Sequence, residues 1–275
     1  MNNVAREPDP CPVAVDGARV WCRVSGQLDG PPILLVHGSG ANHLWWQAML
    51  PGLRVGHRVI EIDLSGHGES EHRSAYSLAG WVGELVSVLL HAGAGPATLV
   101  GHSMGGKVCV VTAAARPDLV AGLVLFDVGL PPPARWRRRP PTMEGRQRRY
   151  PSRQELIERF VLTPPQPDPP AGVLAAIAAG SVRRDAAGWT WKHDRHSVPI
   201  LDDREVGEAA LRLDCRIAFV HAEHSHAVDG SVLCHVQSGL PAPVAVHCLP
   251  GTHHHLVLEV PDECARLVAD FTAAL

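Results

Sequence analysis

No stretch of this 275-residue chain approaches the roughly 20 consecutive apolar residues that a bilayer-spanning helix needs. The opening MNNVAREPDPCP lacks the apolar core of a secretory signal, so the expectation is a soluble cytoplasmic protein without a membrane partner. Charge of one sign is missing too: Lys+Arg 25 nearly balances Asp+Glu 28 for a formal charge of -3, which argues against a nucleic-acid partner. The seven cysteines are odd in number and scattered, with no CxxC pair, so neither a disulfide framework nor a zinc ribbon is expected, and reduced core thiols are the plain reading. No internal repeat or low-complexity tail is visible.

What is present is an alternation. Short β-rich runs (ARVWCRVSG, PPILLVHG, RVIEIDLSG, ATLVGHS, VAGLVLFDV, RIAFVHAE and VAVHCLPG) are separated by amphipathic or Ala-rich stretches, the pattern of a mostly parallel sheet covered by helices. Near-continuous apolar runs such as Ile33-Leu34-Leu35-Val36 suit strands buried on both faces, and each is followed at once by a polar or Gly-rich turn. Ligands of open α/β sheets bind at such turns, at the carboxyl ends of the strands. The rhythm breaks between about 131 and 203, where proline-rich pieces interrupt two helical patterns and no strand is expected. This segment reads as an inserted helical cap, residues 132–206, between two parts of one core, 1–131 and 207–275. Within it, Ser152-Arg153-Gln154-Glu155 has the form of a capping box opening one helix, and AGVLAAIAAG reads as a second.

The strongest local signal is ATLVGHSMGG, residues 97–106: an apolar strand, then Gly101-His102-Ser103-Met104-Gly105, then the helical run KVCVVTAAA. A strand-to-helix turn this tight forces its central residue into a strained conformation, leaves room only for glycine on either side and thrusts the Ser103 hydroxyl into the open. The helix behind it aims N–H groups at any developing anion. A serine in that setting is a candidate nucleophile, and it needs an imidazole to take its proton at neutral pH.

On these residues the chain resembles the α/β-hydrolase family, over nearly its whole length apart from the cap. LLVHGSGANHLWW, residues 34–46, is similar to the family's oxyanion loop, which implies that the backbone N–H of Ser39 pairs with that of Met104 to hold an oxyanion. DLSGHGES, residues 63–70, resembles a family turn whose role is structural, so Asp63 and His67 are given no part in catalysis. GTHHHLVLEVP, residues 251–261, is similar to the catalytic-histidine loop; counting back from Glu259 puts His254 at the family position, with His253 and His255 as neighbouring registers.

The third member departs from the family. Most relatives carry an aspartate in the turn after the strand that here reads RIAFVHAE, and this chain has Ser225 there. LVLFDVG supplies Asp127 at the end of the preceding strand, a place from which other branches such as the haloalkane dehalogenases and coelenterazine luciferases take their acid. Glu223, Asp229 and no acid at all remain alternatives. The resemblance implies a serine hydrolase of an ester, thioester or lactone with the triad Ser103, His254 and Asp127 and no cofactor. Carbon–carbon bond hydrolysis of a diketone, and a ligand receptor on a weakened hydrolase scaffold, are the alternatives.

Two clusters invite other readings. HAEHSH and HHH hold residue types that bind zinc, but neither has ligand spacing on a helix, such as H-E-x-x-H, and the expectation is loop histidines around a serine site with no metal. RWRRRPPTMEGRQRR, residues 135–149, carries seven arginines against Glu144. It suits the phosphates of coenzyme A or an acidic carrier protein, and equally a solvated surface. Trp189 and Trp191 of GWTWKHD suit cap core or pocket wall.

Overall fold

The structure, a computed structural model, describes residues 9–137, 147–197 and 202–275. A hairpin of β1 (Val13–Val15) and β2 (Ala18–Val20) precedes β3 (Cys22–Gly26), β4 (Pro32–Val36), α1 (Leu50–Arg54), β5 (Arg58–Ile62) and α2 (Leu78–His91). Then come β6 (Ala97–His102), α3 (Met104–Ala115) and β7 (Val120–Phe126). The chain leaves the sheet after β7 to form α4 (Arg153–Ile157), α5 (Val173–Gly180) and the strands β8 (Val182–Asp185) and β9 (Gly188–Trp191). It returns through α6 (Asp203–Ala210) to β10 (Arg216–Ala222), α7 (Gly230–Ser238), β11 (Val244–Leu249), α8 (Leu256–Glu259) and α9 (Pro261–Ala273).

The seven-stranded sheet has the order β11-β10-β7-β6-β4-β5-β3, parallel throughout except for β3, which runs antiparallel to β5. Burial explains the apolar runs: all six residues of β6 are buried, because helices cover both faces. Alternate side chains feed two cores. Leu34, Leu99, Leu125 and Phe219 meet Trp81 of α2 and Val108 of α3 on one face; Leu35, Val100, Phe126 and Val220 meet Leu53 of α1 and Val268 of α9 on the other. Each fully buried side chain of this size contributes about 1.5–3 kcal/mol.

Register decides what reaches the working edge. His102 pairs with Phe126 and Phe126 with Val220, so β6, β7 and β10 end at nearly one level, and the residues that follow them emerge side by side.

Between β7 and α6 the structure differs from the sequence reading. The Ser152 hydroxyl caps α4 by accepting the Glu155 N–H at 3.1 Å, and α5 forms, but a hairpin stands where no strand was expected. Val182 pairs with Trp191, and Asp185 turns the chain by accepting the Ala187 N–H at 2.9 Å. The strands are four residues each, too short for alternation to show. Helix α6 begins at Asp203 and is tied to α3 by the buried pair Lys107 Nζ–Asp203 Oδ1 at 3.0 Å.

All seven cysteines are free, but only Cys22, Cys109 and Cys264 are buried, and Cys234 and Cys248 are exposed. Among the described residues no helix is long and apolar enough to cross a membrane. Residues 138–146 of the arginine run, with its charged members Arg138, Arg139, Glu144 and Arg146, lie outside the described residues.

Candidate active site

The turn after β6 has the strain its sequence predicts: Ser103 sits at φ 51° and ψ -117°. A Cβ at Gly101 would stand 2.5 Å from the Gly106 Cα, and one at Gly105 closer than 3.0 Å to the backbone oxygens of Val36 and His37. Only glycine lets α3 approach β6 and β4 this closely. The Ser103 N–H is held by the Phe126 carbonyl at 3.0 Å. Met104 is the first residue of α3, so its N–H has no carbonyl four residues back to bond. On the facing loop, the buried His37 ring donates from Nδ1 to the Gly38 carbonyl at 2.8 Å and accepts the Leu64 N–H on Nε2 at 3.1 Å, which sets the path of Gly38 and Ser39 past the serine.

Of the three consecutive histidines, His254 alone contacts Ser103. Its Nε2 lies 3.0 Å from the Ser103 Oγ, and its Nδ1 2.7 Å from Asp127 Oδ2. A carboxylate only accepts, so Nδ1 carries the proton and the Nε2 lone pair faces the hydroxyl. His253 bonds Glu259 through its N–H at 2.7 Å and its Nδ1 at 3.0 Å. The His255 backbone N–H donates to Gln166 Oε1 at 2.8 Å, and its ring donates from Nε2 to the Thr163 carbonyl at 3.1 Å. The register counted back from Glu259 is thus the one that brings an imidazole to the serine.

Asp127 is fully buried and has φ 50°. Its Oδ1 accepts the Ala222 N–H at 3.0 Å, and its Oδ2 accepts the Ser225 hydroxyl at 2.8 Å beside the His254 bond. The other two candidate acids are engaged elsewhere. Glu223 Oε2 accepts the Gly251 N–H at 2.7 Å, while Asp229 caps α7 and pairs with Arg135 at 2.7 Å.

Sequence reasoning gave His102 no role. Its Nε2 donates to the His254 carbonyl at 2.8 Å, tying the serine turn to the histidine loop; no local pattern marks this contact. Burial, then the neighbouring His254 and His255, hold the His102 ring well below the usual imidazole range. Burial and then His254 push His255 down to about 4, and burial pushes His193 down to about 4. These three rings are neutral near pH 7. Asp63 has a structural position: its carboxylate gathers the His43 N–H at 2.6 Å, His43 Nδ1 at 2.8 Å and the Glu69 N–H at 2.8 Å. Burial, the largest single influence, opposes its charge, but His43, His37 and the Glu69 N–H together outweigh it and hold Asp63 below the usual carboxylate range.

A cavity of about 460 Å³ opens over Ser103. Ser39, His102 and His254 line its floor, and Phe160, Leu162 and Trp191 line its roof. Phe160 packs between Trp45 (6.1 Å between centroids) and Trp191 (5.7 Å). Trp189 is instead bonded through its backbone to Tyr150 and does not line the cavity. Among the described residues, no three His, Cys, Asp or Glu side chains gather as a metal ion would require.

A family described as alpha/beta hydrolase fold matches residues 31–158. An esterase of Mycobacterium tuberculosis, Rv0045c, is 31% identical over 174 residues, covering 60% of this chain and 57% of that protein. Protein phosphatase methylesterase 1 of Mus musculus is 41% identical over 109 residues, 36% of this chain and 28% of that one. The chain therefore spans little more than half of the one and under a third of the other. Among solved structures, a thioesterase domain from the curacin biosynthetic pathway superposes with a TM-score of 0.79 at 21% identity, covering 95% of this chain and 99% of that one. With this sheet order, this strained serine corner and these matches, the chain has the α/β-hydrolase fold.

Proposed function

We propose that the protein is a serine hydrolase that cleaves an ester, thioester or lactone through an acyl-enzyme. The observation that carries this reading is the unbroken chain from Ser103 Oγ through His254 to Asp127, at 3.0 and 2.7 Å, on the floor of a cavity large enough for a small acyl compound. The names of the relatives, an esterase, a methylesterase and a thioesterase domain, point the same way.

In this mechanism His254 Nε2 takes the Ser103 proton as the oxygen attacks the carbonyl carbon. The N–H groups of Ser39 and Met104 hold the oxyanion, and His254 returns the proton to the leaving alcohol or thiol. Water activated by the same nitrogen then releases the acid. Asp127 keeps the proton on Nδ1 and stabilises the imidazolium. With His102 and His255 neutral, the positive charge that forms on His254 meets the Asp127 carboxylate without repulsion from either neighbouring ring. Each oxyanion donor is worth on the order of 3–4 kcal/mol of barrier lowering.

Residues 132–206 act as a cap that supplies the apolar wall of Phe160 and Trp191 and sets substrate size. Arg135 and Arg149 of the arginine run are committed to Asp229 and Asp185, which favours a small ester or lactone over a coenzyme A or carrier-protein thioester. The Asp127 carboxylate beside His254 supports the hydrolase over the receptor alternative, which was motivated by the serine at 225. The seven free thiols suit a reducing compartment such as the cytoplasm.

The test is turnover of a panel of p-nitrophenyl esters, lactones, acyl thioesters and one vinylogous diketone, with fluorophosphonate labelling alongside. Ser103→Ala is expected to lower ester turnover by at least about 10³-fold and to abolish labelling. Equal turnover in wild type and variant, or neither turnover nor labelling in the wild type, refutes the assignment.

A further inference from the structure

Ser225, which occupies the turn where most relatives keep their acid, is bonded to the acid that stands in for it. Its Oγ accepts the N–H groups of Ala227 at 3.0 Å and Val228 at 2.9 Å. Those two bonds use both oxygen lone pairs, so the hydroxyl hydrogen has one remaining direction. Along it, at 2.8 Å, lies Asp127 Oδ2, the same oxygen that accepts His254 Nδ1–H at 2.7 Å. The opposite oxygen is held by Ala222 N–H at 3.0 Å, from the beginning of the same turn.

We propose that Ser225 is a positioning residue: its hydroxyl fixes the plane of the Asp127 carboxylate and, by sharing Oδ2 with His254, sets how strongly that carboxylate holds the imidazolium. The inference rests on the serine-hydrolase reading above and adds a fourth member to its hydrogen-bonded chain.

Two physical consequences follow from the geometry. The terminal torsion of an aspartate is broad, and without Ser225 the Ala222 N–H is the remaining donor among the described residues, besides His254 itself, that orients the carboxylate. A donor on Oδ2 also withdraws charge from the oxygen that His254 uses. Removing it concentrates charge there, stabilises the protonated imidazole and moves the acid limb of the pH–rate profile to higher pH.

The groups that face His254 are Asp127 from the end of β7, the ring of His102 from β6 at 4.9 Å and the ring of His255 from its own loop at 5.0 Å. Glu223 and His224, in the same turn as Ser225, bond the Gly251 N–H and the Thr252 carbonyl instead. The two neighbouring rings stay neutral near pH 7, so a shift of the acid limb reports the His254–Asp127 pair.

The experiment compares wild type, Ser225→Ala and Ser225→Thr by kcat and KM from pH 5 to 9 on the best p-nitrophenyl ester, with urea denaturation of each. Ser225→Ala is expected to lose about 10-fold in kcat/KM, carried by kcat, the scale of one hydrogen bond to a charged group. Its acid limb is expected to move up by about half a pH unit. Ser225→Thr keeps the hydroxyl and is expected to stay within about 3-fold of wild type with the limb in place. An Ala variant with wild-type rate and an unmoved limb overturns the proposal. So does a rate loss that tracks lowered stability, leaves the limb unmoved and is not recovered by threonine, because that is the behaviour of a purely structural turn. Failure of the underlying hydrolase reading looks different: the wild type itself then shows no Ser103-dependent turnover.

Discussion

Replacing Asp127 by asparagine tests the third corner with little disturbance of the backbone. The position has φ 50°, where Asn and Asp are tolerated far better than other side chains, so the substitution changes charge and donor pattern while the corner keeps its shape. Three donors converge on the carboxylate: His254 Nδ1–H, the Ser225 hydroxyl and the Ala222 N–H. A carboxamide satisfies Ala222 with its oxygen and then turns its NH2 toward Ser225 and His254. His254 Nδ1 must become the acceptor, which moves the ring proton to Nε2 and leaves no lone pair for Ser103. For the Ser-His-Asp arrangement this loss of the working tautomer lowers kcat on the order of 10⁴-fold, or about 5 kcal/mol at 1.36 kcal/mol per decade. The unmatched Ser225 hydroxyl adds about 1–3 kcal/mol of lost stability, which a urea curve separates from the rate. The assay is ester turnover by Asp127→Asn beside Glu223→Gln and Asp229→Asn, the latter two expected within about 2-fold of wild type because neither carboxylate faces His254. An Asp127→Asn enzyme that keeps more than about a tenth of wild-type kcat/KM would falsify the assignment, and a large loss in Glu223→Gln would move the acid there.

Two further outcomes follow from burial. His193 and His255 protonate only near pH 4 in the folded protein but near 6.5 in the unfolded chain. Between those values the unfolded state binds more protons, so stability falls as pH drops from about 6.5 toward 4 and is insensitive to these groups above about pH 7. The loss amounts to as much as about 3 kcal/mol per histidine. A urea midpoint that stays flat from pH 7 to 4.5 contradicts this. At the serine corner, Gly105→Ala drives a methyl into the backbone oxygens of Val36 and His37, and an overpacking loss of about 3 kcal/mol with collapse of ester turnover is expected. Wild-type stability and activity in that variant would mean that α3 does not sit so close to β4.

The sheet was legible because its strands are buried on both faces and read as unbroken apolar runs, and Ser103 was legible because a strand, two glycines and a helix crowd into ten residues. His254 came from its distance to Glu259, a local spacing that the His253–Glu259 bonds explain: they anchor one end of the loop and leave the next imidazole to face Ser103. What stayed hidden was either short or non-local. The β8–β9 hairpin has four-residue strands. The VAVDGARV hairpin carries its own signal, an Asp-Gly pair in which Asp16 and Gly17 both have positive φ, and a reading attentive to that pair finds it. The contacts of His102 with the His254 carbonyl and of Ser225 with Asp127 join residues 152 and 98 positions apart, and no periodicity along the chain encodes such pairings.

The proposed place of the acid, at the end of β7 rather than β10, has a backbone rationale. Ser103 and Asp127 both follow immediately on their strands, both have positive φ, 51° and 50°, and each N–H bonds the neighbouring strand one step beyond the regular pairing: Ser103 to Phe126 and Asp127 to Val220. The two corners therefore share a left-handed φ and the same N–H stitch, in series from β6 to β7 to β10. A corner of that shape disfavours most side chains but accepts aspartate, and it points the carboxylate along the same edge toward which the first corner points the hydroxyl. Once the carboxylate leaves from β7, the turn after β10 has no charge left to supply and is free to supply a donor. A second carboxylate at 225 would lie within hydrogen-bond range of the first and force one of the pair to hold a proton, whereas a serine meets Asp127 with the hydrogen it needs.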